Sequence, residues 1–215
     1  MRHSKFNILL LMARWPAPGR CKSRLSKDIG VLRASNIQHH LINHTVSVAQ
    51  QLEQDGLVET HLAVGGIGFK SARRWGKSFG IKKVLLQGEG TLGVRMRRQL
   101  MKINRTEKID KAIIIGSDLP SLSRSDLNKA LYHLNKQDLV IGPADDGGYW
   151  LLGLTGKLIK PIATWPFSGI SWGSSNVLKE TLDKAHHLGT KARLLNSKND
   201  IDSLGDLLPW QTYNK

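Results

Sequence analysis

The sequence contains little cysteine, few acidic residues and no long apolar run. Its only cysteine, Cys21, excludes an internal disulfide framework and a cysteine-rich zinc site, and is typical of a reducing compartment such as the cytoplasm, where we expect the protein. No stretch approaches the roughly 20 consecutive apolar residues of a membrane-spanning helix, so no membrane span is expected. Because internal repeats, low-complexity tracts and linkers are also missing, we predict that residues 1–215 form one domain.

The shortage of acidic residues makes the chain strongly basic. Asp and Glu number 17 against 32 Lys and Arg, which gives a formal net charge of +15 at pH 7. A surface of this charge attracts polyanions, so nucleic acid is one class of partner, although nucleotide phosphates would be attracted as well. The basic residues are scattered through segments such as 73–74, 82–83 and 95–98, and no nucleic-acid-binding motif is recognised.

Short apolar runs rich in β-forming residues alternate with helix-length segments. This alternation indicates an α/β fold in which the strands form a mostly parallel sheet. The predicted strands are 6–12, 59–64, 81–86, 112–115 and 139–141, followed by a return strand near 149–153.

Several of the intervening segments have helical periodicity. Apolar residues recur every three or four positions over 37–52 and over 92–103, which predicts two amphipathic helices. Ser123 and Asp126 resemble a capping box, with the shorter acid, and predict the start of a third helix. A further helix is predicted over 177–185. For the segment 165–167 the sequence leaves both a lid and a packed loop open.

The first strand leads into a basic loop that contains Pro18, Gly19 and a hydroxyl at Ser23. In open α/β folds ligands bind at the carboxyl ends of the strands, so this loop is placed to meet an anion. Alternation of Arg20, Lys22 and Arg24 predicts that the three cations share one side if the loop is extended, as a pyrophosphate would require. A solvated basic loop is the alternative interpretation.

The fourth strand opens into the segment 116–120, in which Asp118 follows the strand end directly. A carboxylate at this place can hold Mg²⁺ against the phosphates of a donor. Gly116 and Ser117 leave room for a ligand beside it. The structural alternative is a turn before Pro120 that Asp118 simply caps.

An acidic glycine turn joins the fifth strand to the return strand. Asp146 and Gly147 form an ordinary hairpin signal. The hairpin alone does not explain Gly148 followed by the aromatic residues Tyr149 and Trp150, which are suited to the wall of an acceptor pocket. We therefore favour a binding function for the segment 146–150.

Together, the segments 14–25, 116–120 and 146–150 resemble the DUF2064 family of bacterial glycosyltransferase-like proteins, which is related to nucleotide-diphosphosugar transferases. Further matching segments are 87–96, 170–177 and 199–207, and their order along the chain is specific. The resemblance implies a three-layer α/β/α sandwich of the GT-A type. It also implies a donor nucleotide over the carboxyl ends of the first strands, with Mg²⁺ or Mn²⁺ near Asp118.

The resemblance further implies roles for individual residues. The phosphate loop would bind the donor through Pro18, Gly19, Arg20, Lys22, Ser23 and Arg24. Lys22 and Arg24 would also neutralise charge on the leaving group, and Asp146 would orient or deprotonate the acceptor. The acceptor pocket would be lined by Gly147, Gly148, Tyr149, Trp172, Gly173 and Ser174.

Two positions of the family pattern leave alternatives open. Asp202 is the expected second metal ligand, with Asp200 as the alternative and a helix N-cap before Leu204 as a competing interpretation. Similar sequences tend to carry an acid where this chain has Thr91. Gly90 and Gly93 are therefore expected to form a helix entry whose backbone donors face a donor phosphate.

The predicted function is that of a metal-dependent glycosyltransferase with a nucleotide-sugar donor and a small-molecule acceptor. The preference for sugar transfer depends on the family resemblance alone. A nucleotidyltransferase similar to phospholactate guanylyltransferase, which uses a nucleoside triphosphate and releases pyrophosphate, is the first alternative. A basic nucleic-acid-binding protein on a transferase fold is the second. The oligomeric state is not predicted.

Overall fold

A seven-stranded sheet forms the framework of the computed structural model, which describes residues 6–159 and 168–211. The segment 165–167 lies outside these residues. The strands are β1 (Phe6–Arg14), β2 (Glu59–Gly65), β3 (Lys83–Leu86), β4 (Ile109–Ile115), β5 (Leu139–Pro143), β6 (Tyr149–Thr155) and β7 (Ala192–Leu194). Their order in the sheet is β3-β2-β1-β4-β6-β5-β7.

Helices connect most of the strands. They are α1 (Ser23–Ile29), α2 (Val31–Gln54), α3 (Phe69–Ser78), α4 (Leu92–Thr106), α5 (Arg124–His133), α6 (Val177–His187) and α7 (Leu204–Gln211), with a short 3₁₀ turn at Gly156–Leu158. Along the described ranges, none of the helices is both long enough and apolar enough to cross a bilayer.

The sheet is mostly parallel, as predicted. β1 pairs in parallel with β2 and β4, β2 with β3, and β5 with β7, whereas β6 is antiparallel to both β4 and β5. The carboxyl ends of β1 to β5 therefore meet at one edge of the sheet, together with the amino end of β6. The loops that follow β1, β3, β4 and β5 all emerge at this edge, where ligands bind in open α/β folds.

Both faces of the sheet are covered by helices. Leu9 and Leu11 of β1 face a core formed with α2, α3 and α5, while Ile8 and Leu10 face a second core formed with α4 and α6. Successive side chains of a strand point to opposite faces, so this strand is apolar at every central position because both of its faces are buried. The predicted three-layer α/β/α sandwich is confirmed.

Some element boundaries differ from the prediction. β3 begins at Lys83 and β4 at Ile109, and the elements α1, α3 and β7 are additional. Ile81 is buried, but it lies before β3 rather than in it, so its apolar character suggested too early a start. α3 buries only Ala72, Trp75 and Gly76, which leaves too few apolar positions to reveal a helical period.

Candidate active site

Two adjoining cavities open at the carboxyl edge of the sheet. We call them the Lys22 cavity, of about 310 Å³, and the Trp172 cavity, of about 410 Å³, after a residue that lines each one alone. Their shared lining consists of Leu92, Gly116, Asp118, Tyr149 and Trp150. The two cavities thus form one cleft, which is large enough for a small-molecule ligand on each side of Asp118.

Lys22 lies in an uncommon backbone conformation at the floor of this cleft. It has φ 49° and ψ 50°, in the left-handed region, and within the described ranges it alone among residues other than glycine has a positive φ. Such a conformation costs on the order of 1–3 kcal/mol and is typical of functional sites. The side chain of Lys22 is 3% exposed and its Nζ lies 2.9 Å from Asp118 Oδ2.

The loop is not extended as far as Arg24, so the condition under which Arg20, Lys22 and Arg24 would share one side is not met. α1 begins at Ser23, and Lys22 is its N-terminal flanking residue, so the extended alternation ends before Arg24. Arg24 lies on α1 with Nη1 2.6 Å from Asp202 Oδ2. Arg20 is exposed and lines neither cavity.

Asp118 is the best-anchored carboxylate of the cleft. Its Oδ1 accepts hydrogen bonds from Gln38 Nε2 at 2.7 Å and from Ser117 Oγ at 3.1 Å, while Oδ2 faces Lys22. Gln38 belongs to α2 and is buried among apolar side chains. Because three side chains contact this carboxylate, Asp118 is held in a fixed orientation within the cleft.

The late segment before α7 brings two more carboxylates to Asp118. The backbone N–H of Ile201 donates to the carbonyl oxygen of Asp118 at 3.1 Å, so Asp200 and Asp202 are held on either side of that contact. Asp200 lines the Trp172 cavity and Asp202 the Lys22 cavity. Burial raises the pKa of Asp200; Lys22 opposes this shift, and the charge of Asp118 adds to it.

The acidic turn is fixed against the opposite wall of the cleft. Asp146 is exposed in the Trp172 cavity, and its Oδ1 accepts the backbone N–H of Gly148 at 2.8 Å. Gly147 has φ 86°, and its carbonyl oxygen accepts the N–H of Leu178 at 2.8 Å. The carbonyl of Ser175 approaches Gly147 so closely that no side chain would fit there. The turn and the segment before α6 are therefore packed backbone against backbone.

Two aromatic side chains line the wall between the cavities. Tyr149 and Trp172 are in edge-to-face contact with ring centroids 6.0 Å apart. The indole of Trp172 lies directly on Gly93, where an added Cβ would meet it at 2.6 Å. Gly93 is thus required for the close packing of this wall, which is a different role from donating its backbone N–H to a phosphate. Gly173 and Ser174 also line the Trp172 cavity.

The remaining predicted residues lie outside the cleft lining. Four exposed residues line neither cavity: Pro18, Gly19, Ser23 and Gly90. Gly90 packs against Val94 of α4. Their assignment to donor binding stays a prediction.

The cleft also contains polar residues that the sequence prediction leaves without a role. Arg14, Gln38, Gln87 and Arg95 all line the Lys22 cavity. The helical period could identify two of them, because Gln38 and Arg95 each share the buried side of an amphipathic helix, where a polar residue is uncommon. Arg95, for example, lies between Leu92 and Met96, which line the same cavity.

A second charged cluster lies at the opposite, amino edge of the sheet. Ligand atoms of Glu59, His61 and Glu107 lie within 4.8 Å of one another. Lys83 Nζ is 2.5 Å from Glu107 Oε1 and 3.7 Å from Glu59 Oε1, so a side chain already supplies the positive charge. Burial lowers the pKa of His61 to about 4. This cluster is remote from the cleft and explains none of the predicted donor chemistry.

The carboxylates of the cleft fit a hard divalent cation. Oxygen ligands are those that Mg²⁺ and Mn²⁺ prefer, and Mg²⁺ in particular often takes only one or two carboxylates, with substrate phosphates and water completing its shell. Asp118 faces Asp200 closely enough to raise its pKa. Within the described residues, Asp118 and Asp200 belong to no group of three ligands as compact as that of Glu59, His61 and Glu107.

Solved structures with the same fold support the assignment to the GT-A type. A protein from Desulfovibrio desulfuricans G20, provisionally named a nucleotide-diphospho-sugar transferase, is 26% identical with a TM-score of 0.87, covering 99% of this chain and 89% of that one. The 4-diphosphocytidyl-2C-methyl-D-erythritol synthase from Anaerococcus prevotii DSM 20548 is 12% identical, with a TM-score of 0.59 and coverages of 96% and 98%. Rv0371c from Mycobacterium tuberculosis H37Rv, in complex with manganese, is 14% identical, with a TM-score of 0.59 and coverages of 95% and 97%.

The family assignment comes from the sequence itself. A search of curated proteins gave no significant match. A family model described as an uncharacterized protein conserved in bacteria, DUF2064, matches residues 48–174. The matched region contains β4 with Asp118, the acidic turn and Trp172, and it spans more than half of the sequence, so the chain belongs to the DUF2064 family.

Proposed function

We propose that this protein is a metal-dependent glycosyltransferase that binds a nucleotide-sugar donor in the cleft. The observation that carries the proposal is the ion pair between buried Lys22, in a left-handed conformation, and partly exposed Asp118 at the carboxyl edge, beside Asp200. Strained backbone and facing carboxylates are costly to the free protein and are expected where a ligand is bound. A similar protein with a TM-score of 0.87 is provisionally named a nucleotide-diphospho-sugar transferase.

The proposed reaction transfers a sugar from the donor to an acceptor hydroxyl. The acceptor oxygen forms a bond to the anomeric carbon, the bond from that carbon to the phosphate oxygen breaks, and the nucleoside diphosphate leaves. The proton of the acceptor hydroxyl passes to a base, for which the exposed carboxylate of Asp146 in the Trp172 cavity is the candidate. The aromatic wall of Tyr149 and Trp172 suits the apolar face of a sugar ring.

The chain's own groups prepare the site for this reaction. Asp118 and Asp200, in preference to Asp202, are the residues that would hold Mg²⁺ or Mn²⁺, because Asp202 Oδ2 is paired with Arg24. Such a cation supplies charge stabilisation for the leaving diphosphate. Lys22 is positioned by Asp118 and can exchange that contact for a donor phosphate as the site fills.

Nucleotidyl transfer is the second candidate. In this reaction an acceptor phosphate oxygen attacks the α-phosphorus of a nucleoside triphosphate, and pyrophosphate leaves. The observation in its favour is the set of names given to proteins with this fold. They include a cytidylyltransferase, a 4-diphosphocytidyl-2C-methyl-D-erythritol synthase and a CMP:2-keto-3-deoxy-manno-octonic acid synthetase, and the structure of the last is a complex with CTP. A metal would be expected in either reaction, and manganese is present in the Rv0371c complex.

Binding of nucleic acid is less well supported. The net charge of +15 favours it, but the cleft is lined by Asp118, Asp146, Asp200 and Asp202, which would repel a phosphate backbone. The cytoplasm remains the compartment that we expect, because Cys21 is a free thiol.

Thermal unfolding with a panel of ligands tests the proposal. Nucleotide-sugars and nucleoside triphosphates are each added with and without Mg²⁺ or Mn²⁺, since a ligand at a hundred times its Kd stabilises the folded state by about 2.7 kcal/mol. For a chain of this length, that corresponds to a rise in melting temperature of roughly 5–10 °C. A metal-dependent shift with one nucleotide-sugar supports glycosyl transfer. A shift with triphosphates alone favours nucleotidyl transfer, and no shift with any nucleotide contradicts both.

A further inference from the structure

Two arginines line the Lys22 cavity without an acidic partner. Arg14 stands at the end of β1 and Arg95 projects from α4. The other cations of the cleft are already paired, Lys22 with Asp118 and Arg24 with Asp202. Among the described residues, neither Arg14 nor Arg95 has a carboxylate within 4.0 Å. The unneutralised positive charge of the cleft is therefore concentrated on these two side chains.

Arg95 is held in a fixed position. Its Nη1 donates to Gln87 Oε1 at 2.7 Å, and the Gln87 amide in turn donates to the carbonyl oxygens of Ala13 and Ala63, both at 3.0 Å. The Nε of Arg95 is buried and has no hydrogen-bond partner. A guanidinium group has five N–H donors, so most of those of Arg95 remain available to a ligand.

The electrostatic surroundings of Arg95 are unfavourable in the free protein. Burial lowers the pKa of its guanidinium, and the positive charges of Arg14 and Arg98 lower it further. Arginine nevertheless stays protonated in proteins. A partly buried cation facing other cations, with no anion beside it, destabilises the fold unless a negatively charged ligand compensates it.

A purely structural role accounts for only part of this arrangement. Arg95 could serve to brace Gln87 across the ends of β1 and β2, for which a single hydrogen bond is enough. Arg14 makes no side-chain hydrogen bond or ion pair within the described residues, so bracing does not explain why a second cation faces the same cavity. A ligand with more than one negatively charged oxygen explains both side chains.

We propose that Arg14 and Arg95 bind the diphosphate of the nucleotide-activated donor. This inference depends on the proposed function and deepens it. Under this inference, the main role of Lys22 and Arg24 is to position Asp118 and Asp202, with which they form ion pairs. Both arginines and Asp118 line one cavity of about 310 Å³, so a diphosphate bound there can contact the guanidinium groups within the same cavity as Asp118. Arginine is well suited to this role because its planar guanidinium group can donate two parallel hydrogen bonds to a pair of phosphate oxygens.

Calorimetric titration with inorganic pyrophosphate in the presence of Mg²⁺ tests the assignment. We expect Arg14→Gln and Arg95→Gln each to weaken pyrophosphate binding about tenfold or more, as the loss of a charge-assisted contact predicts. Arg105→Gln is the matched control, because Arg105 is an exposed cation of α4 that does not line the cleft. It removes the same charge from the same helix and should change binding less than about twofold.

Two further measurements separate the possible causes of failure. Arg95→Lys keeps the positive charge but loses the planar guanidinium group. We therefore expect its affinity for pyrophosphate to lie between those of wild type and Arg95→Gln. The inference is overturned if Arg14→Gln and Arg95→Gln bind pyrophosphate as tightly as Arg105→Gln does. It is also overturned if, in a parallel titration with an uncharged nucleoside, these variants lose affinity for the nucleoside alone. If the inference is overturned but Asp118→Asn abolishes metal-dependent binding of the nucleotide donor, the proposed function survives. If wild type itself does not bind pyrophosphate, the inference is overturned, whereas the proposed function is judged by the nucleotides of the thermal panel.

Discussion

Alanine substitution at two glycines tests the packing of the acidic turn. Gly147 and Gly173 have nearly the same positive φ, 86° and 89°. They differ in their surroundings: a Cβ at Gly147 would lie 2.0 Å from the carbonyl oxygen of Ser175, whereas one at Gly173 would meet nothing within 4 Å. Gly173→Ala therefore measures the cost of the backbone conformation, and Gly147→Ala measures that cost together with the collision.

The expected magnitudes differ clearly. A residue with a Cβ in the left-handed region costs about 1–2 kcal/mol, which we expect for Gly173→Ala. Overpacking against a backbone that has little freedom to move adds about 1–3 kcal/mol, so Gly147→Ala should lose about 2–5 kcal/mol. For a protein of this length each kcal/mol lowers the melting temperature by roughly 2–4 °C.

Urea unfolding of the two variants and wild type provides the measurement. The difference in the free energy of unfolding between the two variants isolates the contribution of the contact between Gly147 and Ser175. Because the same contact holds the segment that carries Trp172, Gly147→Ala should also weaken acceptor binding more than Gly173→Ala does. Equal loss of stability in the two variants would refute the close packing of these backbones.

Two further predictions concern stability away from the cleft. His61 should make the free energy of unfolding about 2 kcal/mol lower at pH 5 than at pH 7.5, because burial lowers its pKa from 6.5 to about 4 and the unfolded chain takes up the proton first. Urea titrations of His61→Gln should lack this contribution, and an unchanged pH dependence would contradict it. Asp126→Ala should cost about 1–2 kcal/mol in the same assay, because its carboxylate completes the capping box of α5 and pairs with Lys198 at 2.8 Å. A loss below about 0.3 kcal/mol would contradict that role.

The fold could be predicted from the sequence where one physical signal dominates. The central strands are apolar at consecutive positions because helices cover both faces of the sheet, and this distinguishes them from exposed strands. The capping box at Ser123 and Asp126 is also local, and both of its hydrogen bonds are present. The three-residue strand β7 gives no comparable signal, since its pairing with β5 depends on residues far apart in sequence.

The candidate site was harder to predict because long-range contacts assemble it. Asp118 could be located from its place after a strand, but the proposed preference for Asp200 over Asp202 depends on the ion pair between Asp202 and Arg24, which are far apart in the sequence. The alternating pattern of cations does not predict the conformation of Lys22, because it is also compatible with the start of a helix, and α1 begins at Ser23. Arg95 belongs by composition to the scattered basic residues, although its spacing from Leu92 places it on the inner side of α4.

We propose that Asp118 and Asp200 create a metal-dependent nucleotide site. This proposal is tested most directly by titrating the nucleotide found in the thermal panel into wild type, Asp118→Asn and Asp200→Asn, with and without Mg²⁺ or Mn²⁺. Asp183→Asn, which alters an exposed carboxylate of α6, is the matched control. We expect both cleft variants to lose the metal-dependent part of binding, at least about tenfold in Kd, while Asp183→Asn retains it. Unchanged metal-dependent binding in folded Asp118→Asn would contradict the account.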